Sequence, residues 1–360
     1  MKIIDLKQTA HSDVIDQTVK ILKQGGLVIY PTETVYGAGV DATNQTAVDK
    51  LLKYKSRREG KPLSIAVSNQ KMAEEYAQIN QQAQEIYEQF LPGPVTVVSK
   101  ALGSLAQGVA SEFGTIGIRI PDYNLILDIV KNLKKPMTST SANASGQRRP
   151  YQIKHILNNI SDQQKNKIDL ILDAGTLPPR EPSTVIDTTL STPLTVRSGD
   201  IKQEESSLKL TSHSEEETKQ IAGKIMLKNW NHIKENGLII ALKGQLGAGK
   251  TIFAKGIAKF LKINQMITSP TYTYLMEYDY QRHQTQGNFY HLDAWKIDTE
   301  KQLKTLKVHQ LIKPGNVVAV EWWSQVKEFF PHQRTKLVEV GLRVKDENQR
   351  VLTINNYDQD

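Results

Sequence analysis

An eight-residue, glycine-rich segment carries the residue types that bind nucleotide phosphates. It reads GQLGAGKT at residues 244–251 and fits the spacing GxxxxGK[ST]. In this pattern backbone N–H groups surround the phosphates, the lysine reaches the β- and γ-phosphates, and the threonine hydroxyl holds Mg²⁺. An apolar run at 238–242 precedes the segment and a helical pattern follows it, which is the context that the motif requires. The sequence therefore predicts an ATP site whose contacts are Gly244, Gly247, Ala248, Gly249, Lys250 and Thr251.

Two carboxylates follow other apolar runs in the same half of the chain. Glu321 ends the run VVAVE, and Asp293 ends the run FYHLD. An acid at the end of a strand beside a phosphate loop holds Mg²⁺ or orients the attacking water. Each acid alone is also consistent with a surface carboxylate after a strand. We expect Asp293 and Glu321 to act with Thr251 as the Mg²⁺ ligands and hydrolytic groups of the ATP site.

The first half lacks a phosphate loop but carries hydroxyl and cationic side chains in short clusters. They lie in PTETVYG at 31–37, KSRREGK at 55–61 and STSANASGQRR at 139–149. Each cluster alone is also typical of a turn or a solvated charge run. Together, scattered lysine, arginine, serine and threonine side chains can bind a triphosphate without a phosphate loop.

Helical and extended patterns alternate along the chain, which predicts two α/β domains with a polar seam between them. In the first half the short expected strands favour a mixed sheet: strands at 27–30, 63–67, 95–99, 115–120, 136–140, 169–172, 184–187 and 194–197, and helices at 14–24, 47–55, 78–89, 124–132 and 152–158. In the second half a parallel, P-loop NTPase-like core is expected: helices at 215–233 and 250–261, and strands at 238–242, 271–278, 288–292, 317–320 and 336–344. The domains would span 1–200 and 212–360, with a linker at 201–211.

Composition excludes several function classes. The chain has 360 residues and no cysteine, which excludes disulfide scaffolds, thiolate zinc sites, iron–sulfur clusters and thiol nucleophiles. The net charge of +8 permits an acidic partner such as RNA but does not require one. No apolar run approaches the ~20 residues of a membrane span, and Asp5 and Lys7 interrupt the N-terminus before a signal-peptide core could form. We therefore expect a cytoplasmic protein without membrane contact.

The second half resembles the TsaE family, the small ATPase of bacterial tRNA threonylcarbamoyladenosine synthesis. The resemblance covers residues 211–345 and is carried by GQLGAGKT, TSPTYTY at 268–274, HLDAWKI at 291–297 and VEWW at 320–323. It implies a nucleotide-sensing switch loop formed by Thr268, Ser269, Pro270 and Thr271, with Asp293 and Glu321 as the catalytic or Mg²⁺-linked acids. The chain departs from the family at Trp295-Lys296, usually Tyr-Arg, and at Ser324, usually an acid.

The first half resembles the YrdC family of threonylcarbamoyl-AMP synthases. Seven ordered segments between residues 8 and 200 carry the resemblance: PTETVYG, KSRREGKPL, LPGPVTVV, TIGIRIP, STSANASG, PSTVID and VRSGD. The family condenses L-threonine, bicarbonate or CO₂, and ATP into threonylcarbamoyl-AMP and pyrophosphate, with Mg²⁺ as the counter-ion of pyrophosphate. The resemblance implies ATP contacts from Lys55, Thr115, Ser141, Arg149 and Arg197, and threonine contacts from Thr32, Arg119, Ser139 and Ser183. Its catalytic KxR and SxN signatures are Lys55 with Arg57 and Ser141 with Asn143.

Both resemblances point to one pathway, which modifies adenosine 37 of tRNAs that read ANN codons. They imply a bifunctional fusion whose product a separate transferase, with its partner subunit, would move onto tRNA, so that contact with tRNA would be indirect. The alternative is a double-stranded RNA-binding module with a nucleotide-gated ATPase domain, which would need the basic groups but not Ser141, Asn143 and Ser183 in register. A third interpretation is that one half is a degenerate passenger.

Overall fold

A computed structural model of the chain describes residues 1–55, 62–143, 147–191, 193–197, 199, 208–270, 273–330 and 336–357. The chain forms two compact units, Met1–Thr189 with Pro193–Gln203, and Leu190–Thr192 with Glu204–Asp360. A strand at Leu208–Ser212, within the segment that the sequence suggested as a linker, belongs to the second unit. Its Leu210 is buried, and this single apolar contact in a polar stretch is too weak a signal to predict a strand.

The first unit is built on one mixed sheet that contains eleven strands within the described residues. The strands are β1 (Lys2–Asp5), β2 (Val28–Tyr30), β3 (Gly37–Gly39), β4 (Ser64–Ala66), β5 (Ala77–Gln78), β6 (Val95–Ala101), β7 (Thr115–Arg119), β8 (Met137–Ser141), β9 (Leu170–Asp173), β10 (Thr184–Asp187) and β11 (Leu194–Arg197). Their order is β1-β9-β2-β3-β8-β4-β7-β6-β10-β11, with β5 paired to β6. Parallel and antiparallel pairs both occur, which confirms the predicted mixed α/β sheet.

Seven helices in the described part of the first unit bury apolar faces against this sheet. They are α1 (His11–Lys23), α2 (Gln45–Tyr54), α3 (Gln70–Glu74), α4 (Gln81–Phe90), α5 (Asn124–Leu133), α6 (Ile153–Leu157) and α7 (Asp162–Lys165). Side chains of Asn44, Asn69 and Asn80 accept a backbone N–H at the start of α2, α3 and α4, a cap worth ~1 kcal/mol each. All eight strands and five helices predicted for this half are present, with ends that shift by a few residues.

The second unit has a seven-stranded sheet within the described residues, ordered β12-β18-β17-β13-β16-β15-β14. Its elements are β12 (Leu208–Ser212), α8 (Glu215–Asn236), β13 (Leu238–Lys243), α9 (Lys250–Leu261), β14 (Leu275–Arg282), β15 (Thr285–Asp293), α10 (Glu300–Thr305), β16 (Val317–Glu321), α11 (Trp323–Val326), β17 (Leu337–Val344) and β18 (Arg350–Tyr357). The four central strands β17, β13, β16 and β15 are parallel, so their carboxyl ends meet at one edge. This confirms the expected parallel core.

A hairpin is where the structure differs most from the expected strands of this half. The sequence predicted strands at 271–278 and 288–292, whereas β14 and β15 run to the turn and pair from Leu275↔Leu292 to Arg282↔Thr285. Along β14 the buried residues Tyr278, Tyr280 and Arg282 alternate with exposed polar ones. The fully buried Arg282 makes this alternation look polar on both faces, which hides the second half of β14 from sequence-based prediction. Among the described residues, no helix is long and apolar enough to span a membrane.

Candidate active sites

The phosphate loop of the second unit connects β13 to α9 and depends on glycine at two positions. Gly249 precedes α9 in a left-handed conformation with φ 102°, which ordinary side chains rarely adopt. A Cβ at Gly244 would lie 2.6 Å from the carbonyl oxygen of Leu342. The loop thus turns sharply against β17 and delivers the N-terminus of a twelve-residue helix, whose first N–H groups lack intrahelical partners and can receive phosphate.

Backbone carbonyl oxygens of the phosphate loop hold the Lys250 side chain in place. Its ammonium donates to the carbonyl oxygens of Gly244 and Gln245, both at 3.0 Å, and lies 4.2 Å from the centre of the Trp322 ring. Burial lowers the pKa of Lys250, and the negative charges of Glu321 and Asp293 oppose that shift. The ammonium can therefore exchange neutral carbonyl contacts for stronger contacts with phosphate oxygens.

The two predicted acids lie side by side at the carboxyl edge of the sheet. The strand register places Glu321 opposite Leu242 on one side and opposite Asp293 on the other. The Thr251 hydroxyl donates to Glu321 Oε1 at 2.9 Å, so the helix start and the acid already touch. Asp293 Oδ1 accepts the N–H of Trp295 at 3.0 Å. Both carboxylates are only 3% exposed, which strengthens their interaction with a cation.

This donor set fits Mg²⁺, which prefers a few oxygen ligands and retains waters and substrate phosphates. Thr251, Glu321 and Asp293 supply a hydroxyl and carboxylate oxygens. Within the described residues there is no group of three or more His, Cys, Asp or Glu side chains placed to hold a metal.

The second unit also places two groups at this site that lay outside the predicted set. His291 is fully buried, and its Nε2 lies 2.9 Å from the same Glu321 oxygen that accepts from Thr251. Trp322 follows Glu321 with a left-handed φ of 60°, and its ring centre lies 4.3 Å from that of Trp295. Their positions in HLD and EW, directly beside the two acids, are the signals that could have identified them.

Two backbone hydrogen bonds through Tyr274 connect Pro270 of the predicted switch loop to Asp293. The N–H of Asp293 donates to the carbonyl of Tyr274 at 2.9 Å, and the N–H of Tyr274 donates to the carbonyl of Pro270 at 2.7 Å. Thr268 is exposed and lies 3.6 Å from the Met276 sulfur, and Ser269 is also exposed. Thr271 lies outside the described residues.

In the first unit the two predicted signatures meet at the ends of α2 and β8. The Lys55 ammonium donates to the carbonyl oxygens of Ser141 at 2.6 Å and Asn143 at 2.5 Å. The Asn143 side chain donates to the carbonyl of Gln147 at 2.8 Å. Arg57 lies outside the described residues.

The strand register gathers the other predicted residues on one face of the first sheet. Ser139 pairs with Ser64, and Ser64 pairs with Gly117. Because side chains two residues apart on a strand share a face, Ser139 and Ser141 of β8 lie on the same face as Thr115 and Arg119 of β7. Thr115 starts β7, and its hydroxyl lies 2.7 Å from that of Ser111. Because Thr115 is four residues before Arg119 on the strand, the two residues are ~13 Å apart along it.

A buried polar cluster surrounds Arg119. Its guanidinium forms an ion pair with Glu33, a residue that the sequence did not single out. Burial raises the pKa of the nearby Tyr30 hydroxyl; a hydrogen bond with Ser139 and the charge of Arg119 oppose this rise, and the charge of Glu33 adds to it. The neighbouring Thr32 hydroxyl donates to the carbonyl of Val35 at 2.7 Å and organises the turn after β2. The cluster thus links Arg119 and Ser139, two of the four residues expected to hold threonine, and Thr32 directly precedes Glu33 in the chain.

Ser183 and two further arginines complete the face. Arg197 donates twice to the Ser183 carbonyl, at 3.0 and 2.8 Å, and once to its hydroxyl at 2.8 Å. Arg197 is exposed as a whole, but nearby protein atoms partly desolvate its guanidinium, and this desolvation together with the positive charges of Arg119 and Arg149 lowers the pKa of Arg197. Arg149 forms a two-pronged ion pair with Glu181 at 2.9 and 2.7 Å. Of these three arginines, Arg119 and Arg149 are paired with glutamates, while Arg197 contacts Ser183.

Comparison with known proteins identifies two matches in sequence order. The Sua5/YciO/YrdC family, described as "Telomere recombination", matches residues 20–199, and TsaE, described as "Threonylcarbamoyl adenosine biosynthesis protein TsaE", matches residues 212–352. A Methanocaldococcus jannaschii protein provisionally assigned as a threonylcarbamoyl-AMP synthase is 37% identical over 188 residues, which are 52% of this chain and 86% of that protein. A Vibrio vulnificus threonylcarbamoyl-AMP synthase is 33% identical over 162 residues, 44% of this chain and 84% of that protein.

A solved structure shows the same fold. The crystal structure of P. abyssi Sua5 complexed with L-threonine superimposes with a TM-score of 0.52 at 20% sequence identity, covering 89% of this chain and 92% of that chain. At this identity the likeness extends to the fold alone.

Proposed function

The chain belongs to the Sua5/YciO/YrdC family and carries a TsaE domain, and we propose on that basis that it is a bifunctional enzyme of tRNA threonylcarbamoyladenosine synthesis. Its first unit is a threonylcarbamoyl-AMP synthase that uses L-threonine, bicarbonate or CO₂, and ATP. Its second unit binds and hydrolyses ATP to support transfer of the threonylcarbamoyl group to adenosine 37 of tRNAs that read ANN codons. The observation that best supports this proposal is that both predicted constellations, distant in sequence, come together on their own sheets.

In the first unit the proposed reaction has two steps. Threonine as R–NH₃⁺ and bicarbonate form the carbamate R–NH–COO⁻ with loss of one water and one proton. A carbamate oxygen then attacks the α-phosphorus of ATP, the bond to the bridging oxygen breaks, and pyrophosphate leaves. This chemistry needs in-line positioning and charge neutralisation more than an acid or base. Lys55, Arg149 and Arg197 would supply the charge, and bound Mg²⁺ would act as the pyrophosphate counter-ion.

In the second unit Lys250 would contact the β- and γ-phosphates and Thr251 would turn its hydroxyl oxygen to Mg²⁺, which supplies charge neutralisation when bound. Glu321 and Asp293 would hold the ion or orient water. The transferase and its partner subunit would be the protein partners, with tRNA contacted indirectly in the cytoplasm. Direct binding of an RNA duplex is less well supported. Lys55 and Arg119 are buried and bound to protein groups, so they do not present their charges to a phosphate backbone.

The deciding experiment measures pyrophosphate released by the purified full-length chain from ATP, bicarbonate and L-threonine. We expect release that requires all three compounds. A chain that hydrolyses ATP to phosphate but releases no threonine-dependent pyrophosphate would contradict the synthase assignment.

A further inference from the structure

The ion pair between Glu33 and Arg119 has a role that the proposed reaction does not yet use. Glu33 lies in the turn after β2 and Arg119 ends β7, so the pair links two elements that are separated in the strand order by β3, β8 and β4. The two side chains are 5% and 10% exposed, respectively. A buried pair of this kind is seldom retained for stability, since removing two charges from water offsets their attraction.

One atom of each partner remains without a hydrogen bond. Arg119 donates through Nη2 to Glu33 Oε1, while Glu33 Oε2 and Arg119 Nε, both buried, have no hydrogen-bond partner among the described residues. Buried polar atoms nearly always have a partner, and those that lack one frequently mark a position for a ligand or water. The unpartnered pair consists of one acceptor with negative charge and one donor with positive charge.

An α-amino acid has the complementary arrangement. Its ammonium and carboxylate are attached to the same carbon, so it presents three N–H donors beside two acceptor oxygens. An acid that accepts from the ammonium and an arginine that donates to the carboxylate would satisfy both ends at once. No other buried pair with an open donor and an open acceptor occurs among the described residues of the first unit.

We propose that Glu33 is a substrate-binding residue that receives the α-amino group of threonine while Arg119 receives its carboxylate. This inference rests on the synthase function proposed above. Once the amine has become a carbamate, its remaining N–H still donates to Glu33. The negative charge of Glu33 repels the carbamate oxygens and turns them toward the phosphate-binding cations, which is the orientation that attack on the α-phosphorus requires.

The test compares two ligands that differ only in the amino group, L-threonine and (R)-3-hydroxybutanoate, by titration calorimetry on the full-length chain. The unaltered chain should bind threonine at least about tenfold more tightly. Glu33→Gln keeps the size of the side chain and removes its charge. This substitution should weaken the binding of threonine by about tenfold or more and leave the affinity for 3-hydroxybutanoate unchanged or slightly higher. The preference for threonine should therefore be lost.

Asp41→Asn is the matched control, because Asp41 is also buried in the first unit and is paired with Lys135 at 3.2 Å. It should keep the full preference for threonine. If thermal unfolding shows that Glu33→Gln does not fold, Glu33→Asp provides the same comparison. Glu33→Asp should weaken the binding of threonine more than the binding of 3-hydroxybutanoate.

Two results would overturn the proposal. If both ligands lose affinity equally in Glu33→Gln, Glu33 only positions the Arg119 side chain. If the preference for threonine is unchanged, the amine does not contact Glu33. Neither result contradicts the synthase function as long as the unaltered chain releases pyrophosphate in a threonine-dependent way. Absence of that release in the unaltered chain would remove the proposed function and this inference together.

Discussion

The two sites that we propose to use ATP are built in opposite ways. In the second unit one contiguous segment supplies the loop, the lysine and the threonine, and only the acids come from other strands. In the first unit the residues come from separate segments: Lys55 contacts Ser141, and Arg197 contacts Ser183 on another part of the same sheet. The contiguous site concentrates positive charge in Lys250, whereas the dispersed site shares it among several cations. A single substitution should therefore do more damage in the second unit than in the first.

The largest expected effect follows from Lys250→Ala. Phosphate release from ATP by the second unit should fall by about a thousandfold, because the substitution removes the ammonium that contacts the loop carbonyls where the phosphates would lie. Threonine-dependent pyrophosphate release should stay within about twofold. Separate assays for phosphate and pyrophosphate check both values. Lys259→Ala, on the exposed side of the same helix, is the control and should change neither. Loss of both activities in Lys250→Ala would show that the two units are coupled.

Arg197→Ala should have a smaller effect in the first unit. It removes one charge-assisted contact worth ~1.5–3 kcal/mol, so kcat/KM for ATP in pyrophosphate release should fall by about tenfold to a hundredfold. Arg149 and Lys55 retain part of the charge. The exposed Lys131→Ala on α5 serves as the control for general charge loss and should be silent. A loss as large as that of Lys250→Ala would contradict the idea of shared charge.

The same contrast decides what the sequence could predict. The phosphate loop is local, so spacing alone identifies its residues and the flanking strand and helix. The cluster around Arg119 that we propose to bind threonine depends on which strands become neighbours, and β3, β8 and β4 lie between β2 and β7 in an order that the sequence does not reveal. Glu33 was missed for that reason, since its meaning comes from Arg119, eighty-six residues away. A charged side chain between two threonines in an otherwise buried turn was its one local signal.

The fold class was predicted correctly, but two strands at one edge of the second sheet were missed for related reasons. Regular strands with buried apolar residues were identified, whereas β12 and β18 were missed because they pair with each other at the edge of the sheet and have mixed polarity. The left-handed conformation of Trp322, which places its ring under Lys250, requires tertiary contacts and has no signal in the sequence.

His291 offers a moderate test of how the second site positions its acid. Its Nε2 and the Thr251 hydroxyl share one Glu321 oxygen, so His291 would still hold the acid once Thr251 turns to Mg²⁺. His291→Phe preserves the stacking on Phe289, whose ring centre is 6.1 Å away, but removes the nitrogen. We expect kcat for ATP hydrolysis to fall by about tenfold with little change in KM. His291→Gln can still contact Glu321 and should recover much of the rate. Equal rates for the two variants would reduce His291 to a packing role.

The smallest expected effect is a proton taken up when nucleotide binds the second unit. Burial lowers the pKa of Lys250 in the free protein, so above neutral pH and below the ordinary lysine value of ~10.4 a fraction of the side chain is neutral. Phosphate charge beside the amine raises the pKa again, and binding therefore takes up protons and weakens as pH rises through that window.

Calorimetry in buffers of different ionisation enthalpy measures this uptake, and subtraction of the Lys250→Ala signal isolates the second site from the first. Lys250→Arg, whose guanidinium stays charged, should remove the uptake, whereas Lys259→Ala should preserve it. The dispersed site lowers the pKa of Arg197 from a much higher starting value, so its guanidinium remains charged throughout and should take up no proton in the same range. Uptake that survives in Lys250→Arg would place the titrating group elsewhere and remove this difference between the two sites.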